Sequence, residues 1–457
     1  MVKEVIYMFI SQKKGKRFLL GWLVLFIISA TLPSCDQSGP QQPETSVAVI
    51  ETVSPPAATA VASAAPIETP ISPTGTQETL TSDERLATRR AFREATLVAA
   101  MTLTGTPGAE GSAPPRGGAT VTATFEPTVP VDPEAMVPLM DMGESTYFGF
   151  EGGLYPGGQN EMPAAHAAEG LRRALMIQPL DVEGRPNGGG NYILLSVGLS
   201  NTGMEFCRGL GVGHDYLTPC NPYSFMGQSA ADTAVNHSEL VILSGARGGQ
   251  VGTTWDSPDE NNYDRIRDEL LGPLGHSEQQ VQVIWLKVVN PAGDRPTLPS
   301  PDADAFELAA TLADIVRSLK VRYPNLQQVF ISSRIYAGYA DERGEERHPE
   351  PYAYESGFAV KWLIEAQINQ MESGEINSLT GDLNYNTVAP WLAWGPYLWA
   401  DGTNPRSDGL IWPESDLAED GVHPDPSGQT KVAEMLLAFF KSSPVTRCWY
   451  LAAGTCE

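Results

Sequence analysis

The sequence predicts a doubly wound α/β domain with a mostly parallel sheet, carried behind a long disordered tether. Three observations predict it. Apolar runs rich in Val and Ile at 191–198, 240–246, 281–287 and 326–335 lack polar alternation, as strands buried on both faces should. Stretches with helical spacing lie between and after the later runs, and repeated strand-helix alternation builds parallel sheets with helices on both faces. From Asp36 to about Pro130 the chain is Ser, Thr, Pro, Ala and Gly with few large apolar residues, too little to offset ordering entropy by burial.

The chain has 457 residues, 42% hydrophobic and 19% charged, enough to bury a sizeable core. Fifty-five acidic residues against 30 basic ones give a net charge of −25. That balance excludes attraction to a phosphate backbone as the main activity, so no nucleic-acid partner is expected.

The first 34 residues read as an export signal. Lys13, Lys14, Lys16 and Arg17 precede the apolar run 18–30, which is followed by TLPSC. The run is short for a membrane span. LPSC, ending at Cys35, resembles the lipobox of bacterial lipoproteins, which implies acylation of Cys35 and a membrane partner through that lipid. An uncleaved signal anchor and a simple secreted protein are the alternatives, and all three place the rest of the chain outside the cytoplasm. Residues 35–134 then form the tether, with a root-mean-square span on the order of 50–60 Å. Good helix formers at 82–101 behind a Ser/Asp start predict one short helix inside it. With Cys35 lipidated, Cys207, Cys220, Cys448 and Cys456 remain, an even number in an oxidising compartment. Pairs 207–220 and 448–456 close the shortest loops; three connectivities are open, as are free buried thiols.

The globular domain is expected over 135–457. Its clearest helix follows the third strand, where Leu308, Leu312, Ile315 and Leu319 recur at helical spacing, Asp302 or Asp304 can cap the start, and Pro324 stops it. YESGFAVKWLIEAQINQM and SGQTKVAEMLLAFFKSS predict two more. The segment 150–160 is read as leading into the sheet edge. Sites in such sheets lie beyond the carboxyl ends of the strands. There the sequence places Ser200 and Asn201 after the first strand, Gly248 and Gly249 after the second, Lys287 and Asn290 at the third, and DGVHP before the last helix.

In that order the blocks GLSNT, ARGGQVGTTW and DGVH resemble the SGNH, or GDSL, hydrolase superfamily, nearest its sialate O-acetylesterase-like carbohydrate esterases. The resemblance covers about residues 190–441; its third block is lost, with Lys287 where the family has glutamine. It implies a flavodoxin-like three-layer α/β/α fold, Ser200 as nucleophile, His423 as base and Asp420 as the group orienting it. It also implies an oxyanion hole from Ser200, Gly248 and Lys287 or Asn290, with Lys287 alternatively binding an acidic substrate group. The chemistry demands such a set: a serine hydroxyl attacks at neutral pH only if a base takes its proton.

Asn201, Trp255, Trp394 and Trp399 are candidate substrate contacts, the tryptophans as flat faces for a sugar or as core packing. GLGVG at 209–213 lacks the strand-helix context of a dinucleotide loop. Six histidines are scattered without HExxH or paired CxxC, so no metal and no cofactor is expected. The expected function is an exported serine esterase acting on carboxylic esters, with O-acetyl groups on a glycan as the leading substrate. A non-catalytic glycan-binding or scaffolding lipoprotein of the same fold, and an acyltransferase using the same triad, are the alternatives.

Overall fold

The computed structural model describes residues 135–207, 220–293, 295–340 and 347–456. The export signal, Cys35, the tether with its 82–101 helix, and the 209–213 loop lie outside the described residues. Five strands make one sheet: β1 (Tyr192–Gly198), β2 (Leu240–Ser244), β3 (Val281–Lys287), β4 (Gln328–Ile331) and β5 (Trp391–Trp394). Their spatial order is 2-1-3-4-5 with every neighbouring pair parallel, which is the flavodoxin-like doubly wound order. A register irregularity between Ile193 and Leu194 brings Gly198 opposite Lys287 at the carboxyl edge.

The helices that cover the sheet are α1 (Ala164–Ala174), α2 (Ser200–Phe206), α3 (Phe225–Ala231), α4 (Asn261–Arg265), α5 (Asp304–Arg322), α6 (Tyr352–Ser373) and α7 (Pro426–Ser442). Because strand side chains alternate faces, one strand feeds two cores. Ile193, Leu195, Ile284 and Leu286 pack with Leu308, Leu312 and Ile315 of α5 and Phe358 of α6. Leu194, Val283, Trp285 and Phe330 face the other way, against Phe206 of α2, Phe225 of α3 and Leu436 and Phe440 of α7. Each such side chain contributes about 1.5–3 kcal/mol by leaving water, which explains why the strands carry apolar residues without a break.

Three expectations change. The fifth strand lies inside the Trp-rich stretch before PYLWADG, where no strand was expected. Residues Phe150–Glu151 pair only with Thr146–Tyr147, in a two-stranded antiparallel hairpin separate from the main sheet. Helix α5 starts at Asp304 with no side-chain cap, because its N-cap position is Ala303, which has no side-chain acceptor; the Asp304 carboxylate, one position inside the helix, accepts from Asn290 Nδ2 at 3.0 Å. Its acidic first turn and basic last turn, Lys320 and Arg322, still complement the helix dipole. The disulfides are Cys207–Cys220 and Cys448–Cys456. No helix among the described residues is long and apolar enough to cross a membrane.

One buried amide ties three segments to the sheet. Gln328 of β4 donates through Nε2 to Gly170 O and Val445 O, both at 3.0 Å, and its Oε1 accepts from Trp449 Nε1 at 3.0 Å. Gln328→Leu leaves buried carbonyls without a donor, so urea unfolding is expected to show a loss of about 2–4 kcal/mol with an unchanged slope.

Candidate active site

Strand β1 ends at Gly198 and the chain turns at once into α2, whose first residue is Ser200. Glycine is required at that turn, since a Cβ at 198 would collide with Lys287 O and the Thr202 side chain. Thr202 Oγ1 donates to Lys287 O at 2.7 Å, closing the turn against β3. Ser200 is thereby held at the reversal of strand order between β1 and β3, where doubly wound sheets leave a crevice.

The loop before α7 brings the other two groups. Gly421 has φ +64°, and a Cβ there would strike the Tyr339 carbonyl, so the Asp420–His423 turn packs too tightly for any side chain at that position. Asn201 Nδ2 donates to Val422 O at 3.1 Å, which pins this loop to the start of α2. Ser200 Oγ then lies 2.7 Å from His423 Nε2, and His423 Nδ1 lies 2.6 Å from Asp420 Oδ2. The carboxylate partner at Nδ1 fixes the proton there and leaves Nε2 as an acceptor for the serine proton. Burial alone would raise the Asp420 pKa, but hydrogen bonds from the His423 amide, the imidazole and the Val422 amide outweigh it and hold the group at about 2. Asp420 is therefore ionised across the neutral range. Arg347 also donates to Asp420 Oδ2.

Ser200 and His423 open on a cleft of about 330 Å³ whose lining includes Leu199, Ser200, Asn201, Gly249, Asn290 and His423, and Asp420 stands behind His423 outside that lining. Of the glycine pair it is Gly249, with φ +77°, that reaches the wall, and Gly248 sits one residue back on the same turn. Ser200 opens α2, so its backbone N–H is one of the first four, which have no acceptor within the helix. These backbone groups are the donors available to an oxyanion.

Several expected site residues do other work. Lys287 does not line the cleft: it is fully buried and donates to both carboxylate oxygens of Glu205, at 2.6 and 2.7 Å. Burial pulls the ammonium below its usual range and pushes the Glu205 carboxyl up, while the paired hydrogen bonds oppose both shifts. Asn290 does reach the cleft, but its Nδ2 is committed to the Asp304 carbonyl and carboxylate, at 3.2 and 3.0 Å. Neither side chain is placed as an oxyanion donor. Trp255, Trp394 and Trp399 are core residues, at most 4% exposed, and their indole N–H groups go to Gln250 O, Leu154 O and Glu350 Oε1. The sequence reading missed Arg334, Arg347 and His348, which share the cleft. Arg334 had a usable signal, since it stands just past β4 on the same carboxyl edge. Among the described residues no three His, Cys, Asp or Glu side chains are grouped to hold a metal ion.

No family model and no curated protein matches the chain. Among solved structures it is similar to Axe2, an acetylxylan esterase from Geobacillus stearothermophilus, at 16% identity and a TM-score of 0.30, over 58% of this chain and 98% of that one. It is also similar to a protein described as a GDSL-like lipase from Parabacteroides merdae, at 13% identity and a TM-score of 0.31, over 57% and 96%. At these scores the likeness does not bear on function.

The Lys287–Glu205 pair binds the far end of α2 to β3. Removing one partner strands a buried charge, so Lys287→Met or Glu205→Gln is expected to cost about 3–5 kcal/mol in chemical denaturation. The double variant Glu205→Leu/Lys287→Met is expected to cost less than either single change.

Proposed function

We propose that the chain is a serine esterase of the SGNH type that hydrolyses carboxylic esters through an acyl-enzyme on Ser200. The observation that carries this is the continuous relay from Ser200 Oγ to His423 Nε2 and from His423 Nδ1 to Asp420, opening on a cleft.

The reaction follows from these atoms. Ser200 Oγ attacks the ester carbonyl carbon while its proton passes to His423 Nε2, and Asp420 stabilises the imidazolium. The tetrahedral oxygen gathers negative charge within reach of the Ser200 N–H and the glycine turn. Collapse breaks the ester C–O bond, and His423 returns the proton to the departing alcohol. Water then attacks the acyl group on Ser200, gives its proton to His423, and the carboxylic acid leaves as Oγ recovers the proton.

The leading substrate in this reading is an O-acetyl group on a carbohydrate. We also infer export, with acylation of Cys35 as the anchor, from the signal-like segment 1–34 and the LPSC sequence. No cofactor enters the scheme.

With 4-nitrophenyl acetate, Ser200→Ala and His423→Ala are each expected to lower kcat by on the order of 10⁴ or more. Groups that act as one unit do not add, so the double variant is expected to be no slower than either single one. Turnover that survives Ser200→Ala in the folded protein contradicts the proposal.

A further inference from the structure

We propose that Arg347 is a positioning residue of the Ser200–His423–Asp420 relay, sharing the Asp420 oxygen that orients the imidazole and so extending the relay's working range toward acid. The inference deepens the esterase reading and rests on it for turnover, though not for the behaviour of the imidazole.

The chain on either side fixes where Arg347 stands. The buried Arg334 donates through Nη1 to the Arg347 carbonyl at 3.2 Å. His348, the next residue, takes φ +61°, a left-handed conformation that a residue with a Cβ adopts only when its surroundings impose it. Its ring is buried, edge-on to Tyr352 at 5.3 Å between centroids. His348 thus turns inward while 44% of the Arg347 side chain stays exposed. Arg347 lines both the cleft and an adjoining hollow shared with Ala418, Glu419 and Asp420.

There two donors meet one oxygen. Arg347 Nη1 donates to Asp420 Oδ2, which also accepts from His423 Nδ1 at 2.6 Å, and Nη1 lies 3.3 Å from Nδ1 itself. The two donors compete for the same lone pairs, so the carboxylate gives less to an imidazolium than it would alone. A guanidinium is always charged, and a cation this close opposes a second proton on the ring. His423 takes the Ser200 proton only while Nε2 is bare, so both effects keep the base in its working form as pH falls.

Arg347 is not what holds Asp420. Oδ1 accepts the Val422 and His423 amides at 3.1 and 3.0 Å, and the hydrogen bonds from His423 and Val422 keep the carboxyl at about 2. Without Arg347 the carboxylate is still ionised and still in place. The other groups around the imidazole are Ser200 from α2, Arg334 and His348 on the cleft wall, and Glu419 in the adjoining hollow. All of them persist in an Arg347 variant, so a difference reports Arg347 alone.

The test is the pH dependence of kcat/KM for 4-nitrophenyl acetate in the full chain, whose acid limb reports the base of the free enzyme. In Arg347→Gln the midpoint of that limb is expected to move up by about 0.5–1 pH unit, a roughly three- to tenfold loss on the acid side relative to the variant's own plateau. Arg347→Met, which also lacks the charge, is expected to match it, and Arg347→Lys to stay near wild type. A merely structural role lowers the plateau without moving the midpoint. A midpoint that stays or moves down in Arg347→Gln and Arg347→Met overturns the proposal. NMR titration of isotope-labelled histidine, with His423 assigned by its loss in His423→Ala, separates the two readings. If no ester is hydrolysed, the esterase reading has failed, and an upward move of the His423 titration in Arg347→Gln still supports the role of Arg347, whereas no move or a downward one overturns it. If Arg347→Gln does not fold, Arg347→Met decides.

Discussion

Everything at the candidate site depends on the reversal of strand order between β1 and β3. In a parallel sheet all carboxyl ends share one edge, and the chain leaves β1 and β3 in opposite lateral directions, so a crevice opens between them. Ser200 enters it from β1 and Asn290 from the loop after β3, while the last loop crosses over to deliver His423. The site is thus made of segments far apart in sequence, held by one topological feature rather than by local motif geometry.

Buried polar groups then set the positions that the sheet alone leaves loose. Asn201 ties the His423 loop to α2, and the Lys287–Glu205 pair ties the other end of that helix to β3. A short helix of seven residues has little intrinsic stability, so these ties, with Phe206 in the core, fix the direction of Ser200. Buried polar contacts of this kind specify one arrangement, although an apolar pair of similar volume could match their stability.

Four of the five strands and the three long helices were legible because burial on both faces and helical spacing leave direct marks in sequence. Ser200, Asp420 and His423, which the structure brings together, were marked in the sequence by the resemblance of GLSNT and DGVH to family blocks, and Ser200 also by its place after a strand end. The four-residue β5 was not, since Trp-Leu-Ala-Trp among prolines and glycines reads equally as a packed loop. Lys287 was misplaced for a physical reason: a charge at the end of an apolar strand looks like a site residue, and nothing local reveals that Glu205, 82 positions away, neutralises it. The tryptophans misled in the same way, because an indole with its N–H satisfied inside a core is indistinguishable in sequence from one facing a sugar. Arg334 was overlooked inside an apolar run, although the strand-end rule that found Ser200 applied to it equally.

The central claim is that His423 activates Ser200. Labelling of residues 135–457 with a fluorophosphonate probe, followed by mass spectrometry of the modified peptide, tests it most directly, because such probes react only with a serine whose proton has a base to receive it. The account predicts one adduct at Ser200 that disappears in His423→Ala. A folded domain that takes no label, or takes it at another serine, would contradict it.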